Sequence, residues 1–199
     1  MTTIDLIQKR GDSRHLLFAV TDTDVPANPV DISGGIAKFS VKFSGDDPDS
    51  AAVILKKSYR PIEVEFTDPV NGKLVIKIHK ADTADEQPEC LVWDLEVTRQ
   101  GEALPAASVG TLTVTPGSGA IVGVGTAFSS LRIGDVIVPA GAFPANLKPV
   151  TVLKVVSATS IETDYTEWAA EAGIPFLAFV GDVKTPGGGK FTLVEDVTR

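Results

Sequence analysis

The chain has one cysteine, Cys90, and two histidines, His15 and His79, in 199 residues. A single cysteine rules out a disulfide framework within the chain and any site built from several thiolates. Two histidines, neither in His-Glu-x-x-His spacing, offer no metal-ligand set. No apolar run approaches the roughly 20 residues that a membrane-spanning helix needs, and Met1-Thr2-Thr3-Ile4-Asp5 has neither the basic nor the apolar part of a signal peptide. The expectation is a soluble protein made in the cytoplasm, with no membrane partner. Basic charge is also scarce: 18 Lys and Arg stand against 26 Asp and Glu, for a net charge of −8. Lys9-Arg10 and Lys56-Lys57 are the adjacent basic pairs. Phosphate backbones need clustered cations, so no nucleic-acid partner is expected.

Period-2 alternation dominates the first hundred residues. Leu16, Phe18 and Val20 alternate with more polar neighbours, as do Phe39, Val41 and Phe43, then Ile62, Val64 and Phe66, then Leu74, Ile76 and Ile78, then Leu91, Trp93, Leu95 and Val97. Successive strand side chains point to opposite faces, so each run predicts one core face and one wetter face. Asn71-Gly72 predicts a tight hairpin, and Gly45-Asp46-Asp47-Pro48-Asp49 a polar loop. Frequent short strands predict an all-β fold, a β-sandwich.

Composition changes near Pro105. Residues 106–183 carry nine charges in 78 positions, against 35 in the remaining 121. Strands are predicted through Thr111–Thr115, Val136-Ile137-Val138, the face Val150, Val152, Val156, the face Ile161, Thr163, Tyr165, and Pro175–Val180. Thr166 to Ala172 reads as a helical turn or two, capped by Thr166 and stopped by Gly173. Lys190–Val197 returns to the charged, alternating style of the first hundred residues, entered through a flexible Gly187-Gly188-Gly189. The expected organisation is a discontinuous β-sandwich, 1–105 plus 184–199. A second small, β-barrel-like domain, 106–183, is inserted before the last strand.

The motifs that could carry chemistry each have a plainer reading. Both histidines fall on wetter strand faces. Glu63/Glu65 and Asp94/Glu96 are i,i+2 acids, the spacing of a solvated strand face as well as of a glycosidase pair. Asp46, Asp47 and Asp49 lack a spaced calcium-loop signature. Gly187-Gly188-Gly189-Lys190 is followed by Phe191 where a phosphate loop needs Ser or Thr. Arg10-Gly11-Asp12 reads as a turn. No Gly-x-Ser-x-Gly elbow is present. The expectation is a non-enzymatic protein with no catalytic residue, no cofactor and no metal.

A resemblance is carried by an ordered set of segments. These are Arg10-Gly11-Asp12 with Leu16-Leu17-Phe18, Val30-Asp31-Ile32-Ser33-Gly34, Ala37–Val41, Gly72–Ile76, Ala81-Asp82-Thr83, Leu91–Val97, Phe191-Thr192-Leu193 and Asp196–Arg199. This outer part resembles the N-terminal β-sandwich of phage baseplate upper proteins and the small phage structural proteins like it. In that family a short loop leads from the Trp93-type strand to a Gly-led final strand. Here about 80 residues intervene. The inserted part is similar to a small β-module of phage virion proteins, through Gly110–Thr115, Gly123–Phe128, Leu131–Ile137 and Val155–Ile161. The resemblance implies a structural virion component, in the tail or baseplate, localised to the particle after synthesis in the host bacterium. Its partners would be other virion proteins and copies of itself. The alternatives are a capsid decoration or head–tail neck protein, or a module that binds a host glycan. The candidate assembly contacts are Pro139, Phe143, Pro144 and Pro149, in a loop expected to be long and exposed, and Trp168.

Overall fold

The computed structural model describes residues 2–3, 6–9, 11–22, 28–60, 62–86, 90–140 and 144–194, with backbone alone at 2–3, 184–189 and 193–194. The protein is all-β. Its strands are β1 (Thr2–Thr3), β2 (Leu6–Lys9), β3 (Arg14–Ala19), β4 (Ile36–Lys42), β5 (Ile54–Lys57), β6 (Val64–Asp68), β7 (Lys73–Ile78) and β8 (Cys90–Ala103). There follow β9 (Thr111–Val114), β10 (Ala120–Val124), β11 (Val136–Pro139), β12 (Val150–Ser157), β13 (Ser160–Thr163), β14 (Glu171–Ile174) and β15 (Phe176–Val194). The chain divides into two compact units: 1–33, 37–97 and 184–199, and 34–36 with 98–183. It enters the second unit at Thr98, ahead of the composition step at 106, because β8 runs on without a break to Ala103. It returns between Val183 and Lys184.

The first unit is a sandwich. One layer is the antiparallel set β3-β7-β6. The other follows the order β15-β8-β4-β5, with β2 and β1 both pairing in parallel with β15. Alternation decides what lies between them. Leu16 of β3, Leu74, Ile76 and Ile78 of β7, Phe39 and Val41 of β4, Leu91, Trp93, Leu95 and Val97 of β8, and Phe191 of β15 share one buried cluster. Phe18, Phe39 and Trp93 sit with ring centroids 5.5–6.3 Å apart and tie the two layers together. Such pairs stabilise by about 0.5–1.5 kcal/mol beyond their burial.

Two expectations differ here. Phe43 and Ile62 are 59% and 70% exposed rather than inward, because β4 ends at Lys42 and β6 begins only at Val64. The β6–β7 connection is a 3-10 turn, Pro69–Asn71, closed by Gly72 at φ 70°. A Cβ at Gly72 would sit 2.4 Å from the Val20 carbonyl oxygen, so the position demands glycine. The last strand does pair with the first sheet, Phe191 opposite Leu6 through Val194 opposite Lys9. Gly187 and Gly188 are part of that strand, paired with Thr2 and Thr3, rather than a flexible lead-in.

The second unit is a closed antiparallel barrel. Its order is β14-β9-β10-β13-β12-β11-β15. β14 and β15 are consecutive strands separated by Pro175; β14 pairs with β9 while β15 pairs with β11, so the ladder closes on itself. Closure leaves few open edges. Leu112, Val114, Ile121, Phe128, Ile137, Val150, Val152, Ile161 and Ile174 are buried within it. Gly181 allows a close backbone approach, since a Cβ there would meet the Gly134 carbonyl oxygen at 1.8 Å. Register shifts in β12 between Val152 and Lys154, and between Val155 and Ser157, turn Val156 outward to 52% exposure, off the face that holds Val150 and Val152. Residues 166–172 form no helix. The segment up to Ala170 is irregular, and β14 begins at Glu171, with Gly173 at φ 75° beside a register shift.

Candidate assembly surface

The residues named as contacts divide by burial. Pro139 is buried at the end of β11, opposite Phe176. Trp168 is only 3% exposed, with the Tyr165 ring packed edge-on at 4.5 Å. Neither side chain reaches the surface in this conformation. Pro144 is exposed and Pro149 half-buried, and Phe143 lies outside the described residues.

Of the 139–149 stretch, 144–146 is held down rather than projecting. Asn146 is fully buried. Its amide donates to the Ala169 carbonyl at 2.9 Å and to Glu171 Oε2 at 2.7 Å, and its Oδ1 accepts from the Ala169 N–H at 2.8 Å. A buried amide with all these partners clamps 144–146 onto 165–171. The same clamp explains the lost helix, because Ala169 bonds across to Asn146 instead of along its own turn.

What the barrel exposes is rich in apolar side chains and sparse in charge, with Arg132, Glu167 and the paired Lys154 and Glu162 among its exposed charged groups. Val122 and Val124 of β10 are 51% and 65% exposed. Ala172, Thr113, Val122 and Ser160 form one row across β14, β9, β10 and β13, and Val124 faces Thr111 beside it. Ile133, Leu153 and Leu177 are exposed elsewhere on the same unit. Ten of the fifteen exposed large apolar side chains found among the described residues belong to this unit. Alternation of Leu112 and Val114 with Thr111, Thr113 and Thr115 separates the two faces of β9, whereas β10 was not among the predicted strands.

The charged groups of the sandwich serve one another. Lys38 bonds Asp49 and Glu96 at 2.7 and 2.6 Å, and Lys42 bonds Asp49 at 2.7 Å. Burial pushes the Lys38 ammonium down, but its bonds to Asp49 and Glu96 outweigh that and hold it above its ordinary value. Asp49 mirrors it: burial raises its carboxyl, and Lys38 and Lys42 bring it below the usual range. Among the described residues Asp94 has no ion pair of its own, and the charges of Lys38 and Lys42 and the Leu95 N–H offset its burial only in part. Burial and the neighbouring Glu96 charge raise its carboxyl, and its Oδ1 is buried without a hydrogen-bond partner. Glu63 is bonded by Arg60 and by the Lys57 N–H, and Glu65 by Lys77. Neither i,i+2 pair therefore presents two free carboxylates to a substrate. In the Asp46–Asp49 loop, Asp47 accepts from the Ser44 N–H at 2.8 Å while lysines hold Asp49.

The histidines are equally ordinary. His15 is exposed opposite Lys77, and His79 Nε2 lies 2.8 Å from the Ile62 carbonyl oxygen. Gly11 takes φ 75° and donates to Thr83 Oγ1 at 3.0 Å, while Arg10 lies outside the described residues. Among the described residues no three His, Cys, Asp or Glu side chains converge as a metal site, and no helix is long and apolar enough to cross a membrane.

Asp94 supplies a pH test. A carboxyl raised in the folded state opposes folding once ionised, and that cost disappears as pH falls through the raised folded value toward the unfolded one. Asp94→Asn should raise the melting midpoint at pH 7 by about 1 °C, a small shift because the group is only partly buried and nearby lysines offset part of the cost. The gain should vanish at pH 3. Thermal unfolding of both proteins at the two pH values checks this, and an equal gain at pH 3 would contradict it.

The chain matches no protein-family model and no curated protein.

Proposed function

We propose that this protein is a structural component of a bacteriophage particle, of the tail or baseplate, that works through protein–protein contacts rather than catalysis. The observation that carries the reading is the barrel's outer surface, where few charges and most of the exposed apolar side chains occur together. Interface centres are depleted in charge, and a monomer gains nothing from leaving such a surface wet. The resemblance of the outer segments to baseplate upper proteins gives the reading its setting. In this scheme the sandwich is the scaffold, and the face around Val122 and Val124 is covered by a neighbouring virion protein.

A glycan-binding role would need an exposed aromatic platform, and in the second unit Phe128, Tyr165, Trp168 and Phe176 are all at most 4% exposed, while the exposed Phe43 belongs to the sandwich. The assembly reading is therefore preferred. Electron cryomicroscopy of intact particles from the encoding phage tests it. The expected result is density for this chain with the Val122 face against a neighbour. Complete, infectious particles that lack the chain would overturn the proposal.

A further inference from the structure

We propose that the β3 edge of the sandwich pairs with the same edge of a second copy, giving a two-fold dimer centred on Leu17. Sheet edges expose main-chain donors and acceptors that invite pairing, and proteins block them with inward charges, acids, lysines, prolines or bulges. The other outer strands are short or blocked in this way, β1 being two residues long and β2 four, ending at Lys9. β5 is four residues long with Lys56 pointing inward, and β6 carries Glu65 and Asp68 with a register shift after Phe66. β3 has no inward charge, acid, lysine, proline or bulge, and its one arginine, Arg14, stands at its first residue. The strand is six residues, Arg-His-Leu-Leu-Phe-Ala, in unbroken register with β7. Among the described residues no strand lies on its outer side.

The direction of the main-chain groups can be assigned. Lys77 N donates to Glu63 O at 2.7 Å, and Val20 N donates to Gly72 O at 2.9 Å. With Leu16 opposite Ile76 and Phe18 opposite Leu74, these bonds place the groups of residues 14, 16 and 18 toward β7. Those of His15, Leu17 and Ala19 therefore point to the open edge.

This set is centred on Leu17, so β3 can pair antiparallel with itself, and the partner assigned is a second copy. A two-fold axis through Leu17 sets His15 opposite the partner's Ala19, Leu17 opposite the partner's Leu17, and Ala19 opposite the partner's His15. Three such pairs exchange about six main-chain hydrogen bonds. No like charges face each other in this register, whereas a shift that set His15 against the partner's His15 would juxtapose them. Leu17 is 70% exposed and stands in one row with Val75 and Glu65. Pairing would bury it and extend that row across six strands. Two-fold dimers are the commonest closed assembly. The inference concerns the sandwich alone, so its failure leaves the proposed role of the barrel surface standing, and the reverse holds too.

Sedimentation equilibrium of the purified full chain over a concentration series tests it. The wild type is expected to reach twice the 20.9 kDa chain mass. Leu17→Lys should raise the dissociation constant about thirtyfold or more, while Val70→Lys, an equally exposed change on the β6–β7 turn, should leave it unchanged. A wild type that stays monomeric overturns the proposal, as does a dimer that survives Leu17→Lys. If Leu17→Lys fails to fold, Leu17→Cys in a Cys90→Ser background replaces it. An oxidised, disulfide-linked dimer supports the pairing, and a chain that remains monomeric on oxidation overturns it.

Discussion

Asp82→Ala should lower the stability of the protein by about 3–5 kcal/mol, the usual result of leaving one charge of a buried pair without its partner. Lys56 lies on β5 with its side chain only 5% exposed, and its Nζ sits 2.6 Å from Asp82 Oδ1. The other carboxylate oxygen accepts from the His79 N–H at 2.5 Å. Removing the carboxylate thus strands a buried ammonium and leaves a main-chain donor without its acceptor. Lys56→Met should be milder, about 1–2 kcal/mol, because methionine fills most of the same space and Asp82 keeps both the His79 N–H and its own partial exposure. The double variant Lys56→Met/Asp82→Ala should be more stable than Asp82→Ala alone, since no unpaired charge remains. Urea unfolding of the three variants measures the ordering. An Asp82→Ala loss below about 1 kcal/mol would mean that water reaches Lys56 after all.

That pair also shows where sequence reading runs out. Lys56-Lys57 looks like a basic pair on a surface, and strand alternation points one of the two inward, yet nothing local reveals that Asp82 closes over it. The partner is 26 residues away in sequence. The core of the sandwich was far more legible. In β7 and β8 the inward apolar set, Leu74, Ile76, Ile78 and Leu91, Trp93, Leu95, Val97, is the alternating set, and Thr98 is the one buried residue of these strands that falls outside it. Period 2 identifies a buried face wherever a strand has one wet side. It fails where the strand stops, as at Phe43, or changes register, as at Val156.

The 164–172 segment illustrates a different failure. Thr166 and Gly173 look like a helix cap and stop, and two acids and three alanines lie between them. Local propensity is worth only tenths of a kcal/mol per residue. Against it stand the burial of Tyr165 and Trp168 and the Asn146 clamp, both long-range, and the pairing of β14 with β9. The same long-range terms decided the candidate surface. Prolines at 139, 144 and 149 suggested a projecting loop, but a single buried asparagine holds its middle down. Of the surface that the barrel does offer, Thr113, Val122 and Ser160, only Thr113 was visible in the sequence, as part of the polar alternation with Leu112 and Val114. Its row across four strands needed the register.

Trp168→Ala should cost about 3–5 kcal/mol and lower the melting midpoint by on the order of 10 °C. The indole is nearly the largest group the barrel buries, and its removal leaves Tyr165 facing a void. Any loss of particle assembly in that variant would therefore report a destabilised barrel rather than a missing contact. Trp168→Phe separates the two ideas. The indole Nε1 is buried without a hydrogen-bond partner. An orphaned donor of that kind costs about 1–3 kcal/mol. Phenylalanine gives up some packing but removes the orphan, so the two effects oppose each other and the net loss should stay below about 1.5 kcal/mol. Calorimetry suits the comparison, because each variant deletes one of only two tryptophans and so alters fluorescence directly. If Trp168→Phe proves as damaging as Trp168→Ala, the indole N–H has a partner that matters.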